Sequence, residues 1–146
     1  ESLFLYSRTQ GQGNIDMGAA ATVTQRDTLS IRNSGNNIIA EVNTAANPAA
    51  ASNSNANGFY MASRISSTVL SVYKNEQLQN TNTTANTGTR ALIAIYLGGR
   101  NVAGALNSPS ARNYALCGTG LGFTASQAAI FYNLTQQFQI ALGRAV

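Results

Sequence analysis

Polar and apolar side chains alternate with a period of two along most of the chain, the spacing that puts successive residues on opposite faces of a strand. Residues 3–6, Leu-Phe-Leu-Tyr, form an apolar opening strand that ends near the glycine-rich turn 11–14. Ile15, Met17 and Val23, with Thr22 and Thr24, predict further strand around the small residues 18–21. Residues 28–32 and 37–42 flank the turn Asn33-Ser34-Gly35-Asn36 and read as a hairpin. A strand over 59–64 leads into 68–74, where Val69, Ser71 and Tyr73 take one face and Leu70, Val72 and Lys74 the other. Asn75-Glu76 then turns the chain back through 77–79. Residues 91–97 are apolar on both faces, which predicts a central buried strand. Residues 98–110 read as a long turn region and 112–117 as a further strand. Seven or eight strands at this spacing predict an all-β fold, an antiparallel β-sandwich, and exclude alternating strand–helix units.

Two stretches break the alternation. Residues 43–57 contain only small and polar side chains around Pro48, too little apolar area to fix a conformation, and are expected to form a mobile surface loop. Residues 80–89 are expected to be an exposed link.

The period changes at the C-terminus. Thr124-Ala125-Ser126-Gln127 is a capping box, followed by apolar Ile130, Phe131, Leu134, Phe138, Ala141 and Leu142 at helical spacing. This predicts one amphipathic α-helix over 124–143, closed by Gly143. Its apolar stripe has to be covered, either by the sandwich or by a helix of another copy.

Composition narrows the chemistry. The 146 residues contain no His and one Cys, which excludes Ser-His-Asp and Cys-His nucleophiles, His-ligated metals and histidine pH switches. The five acids, Glu1, Asp16, Asp27, Glu41 and Glu76, show no local pairing of the kind a glycosidase needs, so they are expected to be dispersed and no catalytic residue is assigned. Asp16 beside Asn14 is the only hint of a cation site, which is too little to assign a metal or any other cofactor. Cys117 reads as a small buried hydrophobe in an apolar run. The net charge is +4, but it is carried by isolated arginines, which argues against nucleic acid as a partner. No segment is long and apolar enough to predict membrane insertion. The first residue is Glu, as expected of a processed chain or a piece of a longer one. Asn, Thr, Ser and Gln exceed a third of the residues, so the surface offers hydrogen bonds with little charge, suited to neutral hydroxyl-rich ligands.

The order of motifs resembles a known family. A Leu-Phe-Leu-Tyr-Ser-Arg strand is followed by Phe-Tyr-Met-Ala-Ser-Arg, a turn, and Val-Leu-Ser-Val-Tyr-Lys-Asn. Ile-Tyr-Leu-Gly-Gly and Arg-Asn-Tyr-Ala come next, then Gly118-Thr119-Gly120-Leu121, the capped helix and Ala141-Leu142-Gly143-Arg144. In this order they resemble the concanavalin A-like (laminin-G-like) jelly-roll domains of bacterial surface proteins and phage fibre or tail proteins, mainly over residues 58–146. In that family the hairpin usually reads Tyr-Lys-Asn-Gly; here Glu76 stands in the fourth position.

The resemblance implies one lectin-like domain over 1–146, exposed outside a cell or on a virion, with a glycan or cell-surface receptor as partner and a homo-oligomer or larger assembly as the expected state. With it in view, the loop residue types that hydrogen-bond hydroxyls and stack on sugar rings nominate Asn14, Asp16, Arg100, Asn101, Arg112 and Asn113, with Tyr60 and Tyr114 as stacking platforms. The alternative expectation is a structural subunit of a virion, fibre or appendage, which packs against copies of itself and binds no glycan.

Overall fold

The structure, a computed structural model, describes residues 1–22, 24–44 and 47–146. It is a β-sandwich of two sheets with one C-terminal helix. Sheet A contains β1 (Ser2–Ser7), β6 (Gly58–Ser66), β7 (Val69–Lys74), β8 (Gln77–Asn82) and β12 (Tyr114–Gly120), in the order β12-β1-β6-β7-β8 and antiparallel throughout. Sheet B contains β2 (Met17–Ala20), β3 (Arg26–Ser30), β4 (Asn37–Glu41), β5 (Ala49–Ser52), β10 (Gly99–Val102) and β11 (Ala105–Asn107), in the order β11-β10-β2-β3-β4-β5. Only β10 and β2 run parallel among its pairs. The two-residue β9 (Tyr96–Leu97) leads into β10, and α1 spans Ala125–Ala141.

Alternation along the strands sorts the side chains into two interiors. Leu3, Leu5, Tyr60, Ala62, Leu70 and Val72 of sheet A meet Met17, Leu29, Ile38, Ala40 and Ala49 of sheet B between the sheets. The intervening residues Tyr6, Phe59, Met61 and Tyr73 point out of sheet A into a second cluster with Ala128, Phe131 and Tyr132 of α1. The sequence-predicted faces of β7 are therefore observed, with Leu70 and Val72 in one interior and Tyr73 in the other. The 33–36 turn also forms: Asn36 adopts φ +56°, and the Asn33 carboxamide oxygen accepts from the Gly35 and Asn37 N–H groups at 2.9 and 3.0 Å.

Several expectations are corrected. Within residues 43–57, Ala49–Ser52 is strand β5, paired with β4, and Ala49 and Ala56 are fully buried. Small side chains here let backbone reach backbone, so the ladder hydrogen bonds supply the order that side-chain burial lacks. Ala45 and Ala46 of that stretch, and Val23 of the strand expected around 18–24, lie outside the described residues. Residues 91–97 are not a central strand: Ala91 is buried, but Leu92 is 84% exposed and only Tyr96–Leu97 is extended pairing backbone. This segment carries the chain from sheet A to sheet B along the open side of the sandwich. The expected long turn over 98–110 contains the hairpin β10–β11, closed by Ala103 and Gly104 at φ +51° and +93°. Two successive positive φ values are what a two-residue hairpin matching strand twist requires. In contrast, only Asn75 of the β7–β8 turn has positive φ, as expected with Glu76 in place of glycine.

The helix forms as predicted, with the Thr124–Gln127 capping box and, at its end, Gly143 at φ +64°. Arg144 N–H donates to Gln139 O at 2.8 Å and Gly143 N–H to Ile140 O at 2.9 Å, the paired bonds of a Schellman ending. The face it buries differs from the expected stripe. Ala128, Thr135 and Gln139 are buried, while Ile130, Leu134, Phe138 and Leu142 remain largely exposed. The sheet itself supplies the bulk under the helix: Phe131 packs edge-on against Phe4 at 4.9 Å and Phe59 at 5.8 Å between ring centroids. Small Ala128 and Thr135 let the helix settle onto those rings.

Candidate functional site

Among the described residues no helix or third sheet packs on the outer face of sheet B, although Thr28, Ser30 and Glu41 there are buried by their neighbours. The register of sheet B aligns Asn107, Arg100, Gly18, Thr28 and Glu41 in one row across five strands, each opposite the next. The strand period places Arg26, Thr28 and Ser30 of β3, with Ile39 and Glu41 of β4, on this face. They line an open cleft of about 330 Å³ with Asn14, Arg100 and Ser108. Gly18 sits mid-row, where a Cβ would stand 2.5 Å from the Asp27 carbonyl oxygen and 2.9 Å from Thr28 Cα. Only glycine fits, so no side chain fills the row between Arg100 and Thr28.

Two guanidiniums and one carboxylate dominate the cleft. Arg26 Nη1 bonds Glu41 Oε1 at 3.1 Å, and the Thr28 hydroxyl donates to Glu41 Oε2. Arg100 Nη2 donates to Asn107 Oδ1 at 2.9 Å. Burial lowers the Arg100 pKa, and the nearby positive charge of Arg26 lowers it further against the pull of Glu41. Positive charge on this face is thus only partly compensated. The arrangement can accept an anionic oxygen and hydrogen-bond hydroxyls, but it holds a single carboxylate and so lacks the paired acids of glycoside hydrolysis.

The structure brings Asn14 and Arg100 of the sequence candidates into this cleft and places the other six elsewhere. Asp16 is fully buried as a structural hub: its carboxylate pairs with Arg112 and accepts from Tyr114 Oη at 2.6 Å, Ser110 Oγ at 2.9 Å and the Ile31 N–H at 2.8 Å. Arg112 is buried too and spends its remaining donors on the carbonyls of Gly11 and Arg32. These contacts join the 11–16 and 108–114 segments to the end of β3. The Tyr114 ring is half-buried, and burial together with the Asp16 charge raises its pKa. Tyr60, expected as a stacking platform, is fully buried between the sheets, its hydroxyl donating to Asn55 O at 2.6 Å and its pKa pushed up to about 12 by burial. Asn101 is buried and stabilises the β10–β11 turn, accepting from the Gly104 N–H at 2.7 Å. Asn113 is exposed; its carbonyl accepts from the Arg8 N–H at 2.9 Å and its own N–H donates to Thr9 Oγ1 at 3.0 Å.

Arg26, Thr28, Ser30 and Glu41 were missed. Most of their signal was legible: the predicted 28–32/37–42 hairpin alternates and its polar phase carries Thr28, Ser30 and Glu41, whereas Arg26 lies just before it. What the sequence did not mark was that this phase borders a cleft and not a second layer.

The acids are not wholly dispersed. Burial raises the pKa of Glu1, and the neighbouring Asp27 charge adds to it. Asp27 is itself buried, with its pKa raised by burial although its two oxygens accept from the Asn43 and Ala91 N–H groups at 2.7 and 2.9 Å. Those bonds make it a staple for the chain crossing between the sheets. Among the described residues no group of three or more His, Cys, Asp or Glu side chains could hold a metal ion. No described helix is long and apolar enough to cross a membrane. Comparison with family models, curated proteins and solved structures finds no match to this chain, so the likeness to concanavalin A-like domains rests on the motif order alone.

Proposed function

We propose that this chain is a non-catalytic, lectin-like binding module that contacts a glycan or another surface polymer through the open face of sheet B, displayed on a virion fibre or a bacterial surface. The observation that supports the reading is the polar row Asn107, Arg100, Gly18, Thr28, Glu41 beside an open cleft of about 330 Å³ lined by two guanidiniums and a carboxylate. A hydroxyl-rich ligand carrying one acidic group matches that cleft: hydroxyls to Asn14 and Ser108 at its rim, the anion to Arg100, whose surroundings the part-buried Arg26–Glu41 pair sets. A glycan array followed by calorimetry tests it. Binding of acidic glycans is expected, weakened at least tenfold by Arg100→Ala and Glu41→Gln, with the fold intact. Absence of binding on the array, or affinity indifferent to both substitutions, overturns the reading.

A second reading, a structural subunit that assembles without glycan binding, is favoured by the exposed Ile130, Leu134, Phe138 and Leu142 of α1. Filaments or closed oligomers lacking glycan affinity would support it.

A further inference from the structure

The two lateral sides of the sandwich differ. On one, β8 closes on β5, and Asn82 Nδ2 donates to Pro48 O at 2.9 Å across the gap. On the other, β12 ends sheet A with no strand beyond it, and among the described residues its outer backbone edge has no hydrogen-bond partner. β12 is seven residues long and uncharged, Tyr-Ala-Leu-Cys-Gly-Thr-Gly, with no proline. Of the usual protections of an exposed edge, lysine, proline, shortening and a bulge, β12 has only a bulge at Ala115, near its start. Beneath it lies a hollow of about 380 Å³ lined by Met17, Leu97 and Cys117, and exposed Leu97 and Leu106 stand on the same side.

From this edge we infer that the chain associates with a second copy of itself by antiparallel pairing of β12 with β12, about a two-fold axis at Cys117. The strand is self-complementary in that register. Cys117 is its central residue, so each cysteine meets its counterpart and Leu116 meets Gly118, a large side chain facing a glycine; the bulge at Ala115 ends the regular ladder there. Gly118 has no room for a side chain of its own, because a Cβ there would stand 2.5 Å from the Phe4 ring, and an incoming leucine would pack against that ring. Pairing joins two five-stranded sheets into one of ten strands and satisfies both free edges. The axis runs perpendicular to the sheet, so both sheet B clefts open to the same side. Two weak clefts would then act together on a repetitive surface. The association holds whether or not the clefts bind glycan.

Cys117, exposed and alone in the sequence, reports on the register. Directly opposed residues of antiparallel strands have Cβ atoms about 4.5–5.5 Å apart, close enough for oxidative coupling. Copper–phenanthroline as oxidant would take one electron from each of two thiols, releasing two protons and forming one S–S bond. The expected result is a covalent dimer on a non-reducing gel. Sedimentation equilibrium of the reduced protein and of Cys117→Ser is expected to give twice the chain mass. Cys117→Lys, which places two ammonium groups face to face, and Thr119→Lys, at an exposed position of the same strand, are each expected to weaken association at least tenfold while retaining the native circular dichroism. Leu134→Glu, on the exposed helix face, is expected to leave association unchanged. A monomeric Cys117→Ser at several hundred micromolar overturns the proposal. So does a dimer indifferent to both lysines, a dimer that fails to cross-link at Cys117, or one that Leu134→Glu dissolves.

Discussion

On sheet A the outward positions of β1, β6 and β7 are Phe4, Tyr6, Phe59, Met61 and Tyr73; on sheet B those of β2, β3 and β4 are Gly18, Arg26, Thr28, Ser30, Ile39 and Glu41. Both sets come from the same two-residue alternation, yet one lies beneath a helix and the other, buried only by its own polar neighbours, borders an open cleft. Five aromatic or sulfur-containing side chains on one face are too apolar to leave in water, and α1 is what covers them. Hydroxyls, an ion pair and a glycine need no cover and leave a cleft. The phase of the alternation makes a sandwich; the residue type on its outer phase decides which face is structural and which is available for binding.

The sharpest way to break this contrast is to truncate one outward residue on each face. Phe59→Ala removes a fully buried ring that touches Phe4, Phe131 and Tyr132, and is expected to cost about 3–5 kcal/mol and to loosen α1. Ile39→Ala, a half-buried wall of the open cleft, is expected to cost less than about 1 kcal/mol. Denaturant titration followed at the helical band measures both, and equal costs would erase the distinction between the faces.

Alkaline pH reports on the interior that the two faces share. Tyr60 is neutral in both folded and unfolded chains below pH about 10, so its contribution is fully present there. Between the ordinary phenol value of 10.0 and its folded value of about 12 only the unfolded chain ionises, and stability falls as pH rises. The loss is expected to be on the order of 2–3 kcal/mol by pH 12, with Tyr114 adding in the same direction. Tyr60→Phe should flatten part of that decline in melting experiments between pH 8 and 11.

Gly18→Ala tests why the open face has a gap. A Cβ against the Asp27 carbonyl forces β2 and β3 apart, with an expected cost of about 1–3 kcal/mol and a narrowed cleft. The smallest effect has the opposite sign and belongs to the covered face. Gln139 is fully buried on the inner face of α1 and, among the described residues, neither side-chain polar atom has a partner, so Gln139→Leu is expected to raise stability by about 1 kcal/mol. Its melting temperature would then exceed that of the wild type by a few degrees.

How much was legible in the sequence depended on whether a segment's order came from its own side chains. The β3–β4 hairpin, the two faces of β7 and the capped helix were readable because alternation, turn residues and capping groups act over a few positions. β5 was not, since Ala49 to Ser52 carry no signal of their own and are held by the β4 backbone. The β10–β11 hairpin was hidden by Ala103 at a turn position where asparagine or glycine is the usual sign. In the site, Arg100 and Asn14 were found as loop-like polar residues, but so were Asp16, Arg112 and Asn101, which the fold consumes internally. Polar residue type alone does not separate a ligand contact from a buried staple. Cys117, expected in a core, is exposed because its strand ends the sheet.

By itself the sequence determined the all-β class, the terminal helix with both its caps, and the absence of imidazole chemistry, since all of these follow from local periodicity and composition. Tertiary structure alone decided that the helix packs on sheet A and not on sheet B, that Asp16 and Arg112 neutralise each other out of reach of solvent, and that β12 stands at a free edge. Each of these depends on which distant segments become neighbours, and that is set by the summed burial of both sheets rather than by any local pattern.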